Sequence, residues 1–378
     1  MKKQIKVLHI IPSLKIGGAE RITFDICKEL ASRENIQVCI VIMENVVSFD
    51  IPENLEIRVT NSNVKLSKYK KNHYDLKDYV DIVNNFKPDI IHSHLFQAEI
   101  FSRALLIKEV KYVTHVHDNM IQLNKFELNS HLNKRISNYY EKKWILKRYK
   151  KVNNYFISIS SDTTNFLKQT LSNKLQKNIF ELNNAINVSK FSNNNKRVIG
   201  SKIKLITIGS LVDKKNQILL INLASDLKFN AIPFDLIILG DGPNFKMLHE
   251  EINHRDLQEH VHLMGNVKNV EFYINNSDLL LHSALYEPFG LVLLEAMSSG
   301  LPVICLDGRG NRDIILTGKN GFLLSENNSN LFYEKILYFK NNPNEYEKMS
   351  NYAKKFAKKY DIINYVDRLT EIYLKIID

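Results

Sequence analysis

The chain has 378 residues, 44% of them hydrophobic, with 52 Lys or Arg against 41 Asp or Glu and a formal charge of +11. That length exceeds one compact core and suits two domains, and no apolar run is long enough to cross a bilayer. Cys27, Cys39 and Cys305 stand at unrelated spacings, which excludes a disulfide or zinc framework and makes the cytoplasm the expected compartment. The positive charge favours polyanions, either an anionic lipid surface or a phosphorylated substrate. No nucleic-acid motif accompanies it, so no nucleic-acid partner is expected, and coding bias toward Asn and Lys accounts for much of the excess.

Met1, Lys2 and Lys3 before an apolar run imitate a signal peptide, but Pro12 and Lys15 interrupt it and residues 6–11 read as a first strand. Gly17-Gly18-Ala19-Glu20 follows, then a helix with Ile22, Ile26 and Leu30 on one face. Paired glycines let backbone approach a ligand and can take positive φ. A dinucleotide fingerprint needs three glycines at fixed offsets, so a dehydrogenase is poorly supported. Strands at 38–43, 89–94, 111–117 and 155–158, the last closing the series, alternate with helical segments such as 76–86. Such alternation predicts a parallel doubly wound sheet that binds ligands beyond the carboxyl ends of its strands.

His92 with His94, and His115 with His117, are spaced by two, which puts both rings of a pair on one strand face. Four imidazoles and Asp118 admit a metal site. Nothing in the sequence makes the pairs converge, and metal binding is the minor reading. Residues 133–151 carry eight Lys or Arg against one Glu, with Tyr139, Tyr140, Trp144, Ile145 and Tyr149 interleaved. Two readings stay open: a basic helix for an anionic membrane or lipid-linked acceptor, and a solvated helix with its aromatics toward the core.

The Asn-rich run 192–196 reads as a linker. Beyond it, a strand at 204–209 leads through Ser210 and Lys215 into a helix, and a strand at 234–239 leads into the Gly240-Asp241-Gly242-Pro243 turn. Residues 278–282 form a buried strand, Pro288 and Gly290 break the chain, and a helix runs from Leu291 to a stop at Gly300. Strand, turn and helix N-terminus make a phosphate site, because free N–H groups point outward there. Glu287 and Glu295 frame it with seven residues between them. A carboxylate accepts two hydrogen bonds side by side, which suits Glu295 to a ribose diol, and Glu287 to hydroxyls beyond the phosphate. Diol, phosphate and polyol in a row describe a nucleotide sugar. Strands at 301–306 and 321–324 follow, with Arg309 and Arg312 between them as further phosphate partners.

Glu287 to Glu295, continued by Ala-Met-Ser-Ser-Gly-Leu-Pro-Val-Ile, resembles the Glu-x7-Glu motif of the retaining GT-B glycosyltransferases, family 4 (glycosyl transferases group 1). The resemblance covers nearly the whole chain. It implies an α/β GT-B fold, two doubly wound Rossmann-like domains facing each other across a cleft. The N-terminal domain would be 1–190, the nucleotide-sugar domain 191–360, and a last helix within 361–378 would pack back on the first. It also implies roles. Gly17 and Gly18 would face the donor diphosphate and the acceptor, and His117 would line the donor sugar pocket, forming with Glu287 the catalytic set. Lys215 would hold the diphosphate, with Ser210 where the family usually has Arg. Gly240 would lie near the base, Phe289, Gly290 and Leu291 at the phosphates, and Glu295 at the ribose. His92, His94 and His115 would be strand-end residues or acceptor contacts. Residues 180–187 resemble the family's Asn-Gly-Ile-Asp stretch, with Ala185 and Asn187 replacing Gly and Asp.

The activity so implied is sugar transfer with retention, in bacterial surface polysaccharide synthesis, from a UDP- or GDP-sugar to a glycan or lipid-linked glycan acceptor. No metal and no further cofactor are expected. The protein would be cytoplasmic, or peripheral on the inner face of the membrane through 133–151. The alternatives are a GT-B nucleotide-sugar epimerase and a non-catalytic nucleotide-sugar-binding protein.

Overall fold

The structure, a computed structural model, describes residues 4–123, 132–193 and 195–378. The chain divides into two units, Met1–Ala185 with Ile362–Asp378, and Ile186–Asp361.

The first unit is built on strands β1 (Ile5–Ile11), β2 (Ile36–Ile42) and β3 (Glu56–Val59), a small hairpin of β4 (Asn63–Lys65) and β5 (His73–Asp75), and β6 (Ile90–His94), β7 (Lys111–Val116), β8 (Asn154–Ser158) and β9 (Ile179–Glu181). Its main sheet is parallel in the order β3-β2-β1-β6-β7-β8-β9. The central strands are almost wholly buried because helices cover both faces; in β1 only Lys6 is not buried. The helix Lys77–Phe86 buries Tyr79, Ile82, Val83 and Phe86, the i, i+3, i+4, i+7 stripe, and ends at Lys87 in the left-handed region before Pro88. The last helix, Ile362–Ile377, belongs to this unit and buries Tyr365, Val366, Leu369, Tyr373 and Ile376. The series does not close at 155–158: β9 extends it and β3 adds the other edge. Both are short and half exposed, so neither has the apolar run that marks a central strand.

The second unit comprises β10 (Ile203–Ile208), β11 (Phe234–Leu239), β12 (Val261–Gly265), β13 (Leu279–His282), β14 (Val303–Leu306) and β15 (Gly321–Leu324). They form a parallel sheet in the order β12-β11-β10-β13-β14-β15, the doubly wound arrangement in which chain direction across the sheet reverses between β10 and β13. The run read as a linker lies inside this unit. Directly after it, the buried Arg197 donates to the carbonyls of Ile274, Ser277 and Ser299, a set of acceptors that repays burying a cation.

Candidate functional site

In a doubly wound sheet the ligand crevice opens where the strand order reverses. In the second unit that point lies beyond β10 and β13, and the loops after these strands are stitched together. Leu285 N–H donates to the Lys214 carbonyl (2.9 Å), and the Ser283 hydroxyl to the Lys215 carbonyl (2.8 Å). Lys215 closes a 3-10 turn, Asp213–Lys215, which Asn216 ends at φ 52°. Gly240, at φ 133°, backs the same loop: a Cβ there would lie 2.0 Å from the Gly209 carbonyl oxygen. The turn expected near a base is thus first a close backbone contact that only glycine permits.

Lys215 Nζ lies 2.6 Å from Glu287 Oε2, and His282 Nε2 lies 3.0 Å from the same oxygen. Burial pushes the Glu287 carboxyl up, but the Lys215 ammonium and the His282 hydrogen bond outweigh it, and it titrates far below the usual carboxylate range. Burial moves His282 the other way, holding its imidazole neutral against the pull of Glu287. The Glu287 backbone is clamped as well. Its N–H donates to the Gly308 carbonyl at 2.8 Å, and Gly310 N–H donates to the Glu287 carbonyl at 3.0 Å. A Cβ on Gly310 would sit 1.8 Å from the Pro288 carbonyl oxygen. Gly308, Gly310 and His282 are site residues that sequence reasoning passed over. The signal available was the Gly-x-Gly pattern, read there only for the arginine inside it.

The helix Leu291–Ser298 starts from Gly290 at φ 94°. Phe289 is buried, so this turn offers its backbone rather than its ring. Glu295 lies half-buried one turn into the helix. Ser210 is exposed, its carbonyl accepting from Gln217 Nε2 at 3.0 Å. Arg312 Nε donates to both oxygens of Asp307 at 2.7 Å, and its side chain is largely exposed.

In the first unit the strand order reverses between β1 and β6, and there the two histidine pairs converge. Register sets His9 opposite His92 and His94 opposite His115, so five imidazoles share one sheet face with His117 at its end. His9 Nδ1 lies 2.9 Å from His94 Nε2, and His94 Nδ1 lies 3.0 Å from His117 Nε2. Tyr373 of the last helix covers this face, its hydroxyl 2.6 Å from His92 Nδ1 and 3.3 Å from His9 Nε2. His92, His94 and His115 have no exposed surface, and His94 closes β6 with His115 one residue from the end of β7; His117 alone retains some, at 8%. Burial lowers all five, His9 and His117 to about 3. Two triads, His9, His92 and His94, and His94, His115 and His117, bring one nitrogen each within 4.8 Å of one another. His115 and His117 stack at 4.2 Å and 10°, and three of the rings spend nitrogens on each other, whereas a bound zinc needs lone pairs that converge at about 2.0–2.1 Å.

In the glycine pair near the start, the positive φ that glycine permits is not used. Gly17 is extended (φ −178°), and neither glycine takes positive φ. Gly17 instead makes room for Glu20, whose carboxylate a Cβ would meet at 2.2 Å. The basic stretch forms the helix Leu132–Tyr149, in which Tyr149 is buried, Tyr140 and Trp144 are half-buried and Tyr139 is exposed. Ile145 and Tyr149 are buried, the Tyr149 hydroxyl donating to Glu99, and Trp144 Nε1 donates to the Tyr74 hydroxyl at 3.2 Å beneath the Arg148 guanidinium. Lys142 and Arg148 donate to the carbonyls of Leu123 and Arg103, while Lys143, Lys147, Lys150 and Lys151 are exposed.

Two parallel, doubly wound halves with ligand-type loops at both reversal points define a GT-B architecture, and solved structures share it. The chain superimposes on Anabaena HepE in complex with UDP-glucose (TM-score 0.77, 18% identity, 98% of this chain and 100% of that one). It also superimposes on S. aureus TarM (TM-score 0.79, 16% identity, 100% and 99%). Residues 16–189 match the family model "Glycosyltransferase Family 4" and residues 189–356 the model "Glycosyl transferases group 1", and the chain belongs to this family of glycosyltransferases. Poly(glycerol-phosphate) alpha-glucosyltransferase of Bacillus subtilis (strain 168) is 31% identical over 172 residues, 45% of this chain and 25% of that protein. The chain spans between 24% and 59% of the length of that protein and four other curated relatives. Among the described residues, no helix is long and apolar enough to cross a membrane.

Proposed function

We propose that the protein transfers a sugar, with retention at the anomeric carbon, from a UDP- or GDP-sugar to a glycan or lipid-linked glycan acceptor in bacterial surface polysaccharide synthesis. The observation that carries this reading is the Lys215–Glu287 pair at the reversal point of the second sheet, beside the open N-terminus of the helix Leu291–Ser298. The task of such an enzyme is to stabilise a departing nucleoside diphosphate and an oxocarbenium-like sugar. Lys215 has three N–H donors and spends one on Glu287, so two remain for phosphate oxygens. The backbone N–H groups at Gly290 and Leu291 add the positive end of a helix dipole. Glu287 stays ionised through the physiological range, which suits it to accept sugar hydroxyls and to balance positive charge developing on the ring. Glu295 takes the ribose and, following the family resemblance, His117 takes the donor sugar. Phosphate neutralisation by lysine and helix dipole leaves no step that needs a divalent metal. The exposed Lys143, Lys147, Lys150 and Lys151 support peripheral contact with an anionic membrane from the cytoplasmic side.

A thermal-shift screen over UDP, GDP and their sugars tests the donor, because a ligand that binds only the folded state raises the melting temperature. Product NMR then reads the anomeric configuration. Stabilisation by none of these ligands would sink the proposal, and epimerised donor without acceptor product would move it to the epimerase alternative.

A further inference from the structure

We infer that His282 is a positioning residue for Glu287: it holds the carboxylate in place when Lys215 turns to the donor phosphates, and it leaves the second carboxylate oxygen open to the ligand. The Glu287 carboxylate accepts two hydrogen bonds, from Lys215 Nζ at 2.6 Å and from His282 Nε2 at 3.0 Å, and both fall on Oε2. Among the described residues no donor reaches Oε1, which is not enclosed. One oxygen is anchored and the other is open. An ionised carboxylate only accepts, so the proton in the bond from the imidazole sits on His282 Nε2.

The two anchors differ in how firmly they hold. Lys215 closes a 3-10 turn and reaches Glu287 through a flexible four-carbon stem, with two N–H groups to spare. A diphosphate in the site competes with Glu287 for this ammonium, and the stem lets the charge follow the stronger anion. His282 has no such freedom. It ends β13, an inner strand of the sheet, opposite Cys305 of β14, and is 2% exposed. Its bond to Glu287 is the one hydrogen bond that its ring makes among the described residues. A carboxylate held by the lysine alone would move with the ammonium. Held also by an imidazole that the strand fixes, it keeps its place when the lysine leaves.

That the open oxygen receives hydroxyls of a donor sugar rests on the function proposed above, and the test separates the two. The first arm needs no substrate. The full chain, labelled with 15N-histidine, is examined at pH 7 by two-bond 1H–15N correlation, as wild type and as Lys215→Met. The pattern of His282 is the one missing from His282→Gln. A proton on Nε2 is expected in both proteins, and a bare Nε2 in either overturns the inference. The second arm is turnover. The amide nitrogen of Gln reaches the place of Nε2, whereas Asn is too short and Phe has no donor. His282→Asn and His282→Phe are therefore expected to lose about ten- to a hundredfold in kcat, the worth of one charge-assisted hydrogen bond, and His282→Gln to regain most of it. Affinity for the nucleoside diphosphate should stay near the wild-type value in all three, because Lys215 and the helix N-terminus are untouched. Equal losses in the Gln and Asn variants, or a diphosphate affinity that falls in step with kcat, would reduce His282 to a packing residue and overturn the inference. Absence of transfer in the wild type would remove the proposed function and leave the spectra to decide whether His282 anchors Glu287.

Discussion

Lys215 and Glu287 lie 72 residues apart and meet at 2.6 Å, because the strands that precede them are neighbours at the sheet reversal. Both side chains are largely buried, at 17% and 11% exposure, so the pair should behave as a buried one. Lys215→Met leaves the Glu287 carboxylate with His282 alone, and a loss of about 3 kcal/mol is expected. Adding Glu287→Gln removes the stranded charge and should recover much of it. Urea unfolding of the two single variants and the double variant measures the coupling; additive losses would mean that the pair is not coupled in solution.

The buried imidazoles predict an early acid transition. His9 and His117 are lowered from 6.5 to about 3, and His92, His94 and His115 are also lowered well below 6.5, by burial and by their neighbours. Between pH 6.5 and 3 the unfolded chain binds protons that these rings refuse, so stability falls as pH drops through that window and is level above it. Well below 6.5, each ring contributes a slope of about 1.4 kcal/mol per pH unit. The Glu287 contribution is lost only below the ordinary carboxylate value of 4.5, so between pH 6.5 and 4.5 the histidines act without it. His115→Phe should flatten the slope by one ring. A urea midpoint that stays constant from pH 7.5 to 5 would contradict this.

Why some of this was legible in the sequence and some was not follows from what sequence separation hides. The strand at 234–239 and the short strand at 321–324 appear where the residues place them, since apolar runs bounded by Gly or Pro need no partner to be recognised. Glu287 and Lys215 were legible singly, but their contact was not. The histidine cluster shows this most clearly. Spacing put His92 with His94 and His115 with His117 on common faces, but only register brings the pairs together and adds His9. Tyr373 comes from the other end of the chain and had no signal. The short edge strands β3 and β9 were missed for a different reason, since half-exposed strands of three or four residues lack a pattern long enough to count.

Glu295→Ala and Glu287→Ala should fail in different ways. A ribose contact is made by donor and free nucleoside diphosphate alike, so its loss weakens both. Loss of a sugar contact spares the diphosphate and lowers turnover. Calorimetry with the nucleoside diphosphate separates them, and equal weakening by both changes would reject the division of roles.

Transfer is expected to continue in excess chelator. Lys215 and the helix that starts at Leu291 carry the positive charge that a divalent ion supplies elsewhere. If chelation abolished turnover and a divalent metal restored it, the carboxylates and the histidine face would have to be reassigned as ligands.

Membrane association, if it runs through the helix Leu132–Tyr149, has to use the charges that the fold leaves outside. Lys142 and Arg148 are engaged with the carbonyls of Leu123 and Arg103, so the relevant change is Lys143, Lys147, Lys150 and Lys151 to Gln. Near an anionic surface each lysine is worth about 1 kcal/mol, and the attraction decays within a Debye length of about 8 Å. The fourfold change should therefore release the protein from vesicles rich in anionic lipid, as should raised salt. Nucleotide binding should survive, because Lys215, Glu287 and Glu295 belong to the other unit. Trp144 is held by Tyr74 and covered by Arg148, so its fluorescence should stay unchanged on binding, the sign of surface attraction without insertion. Wild-type protein that ignores anionic vesicles at low salt would leave these lysines as a solvated helix face.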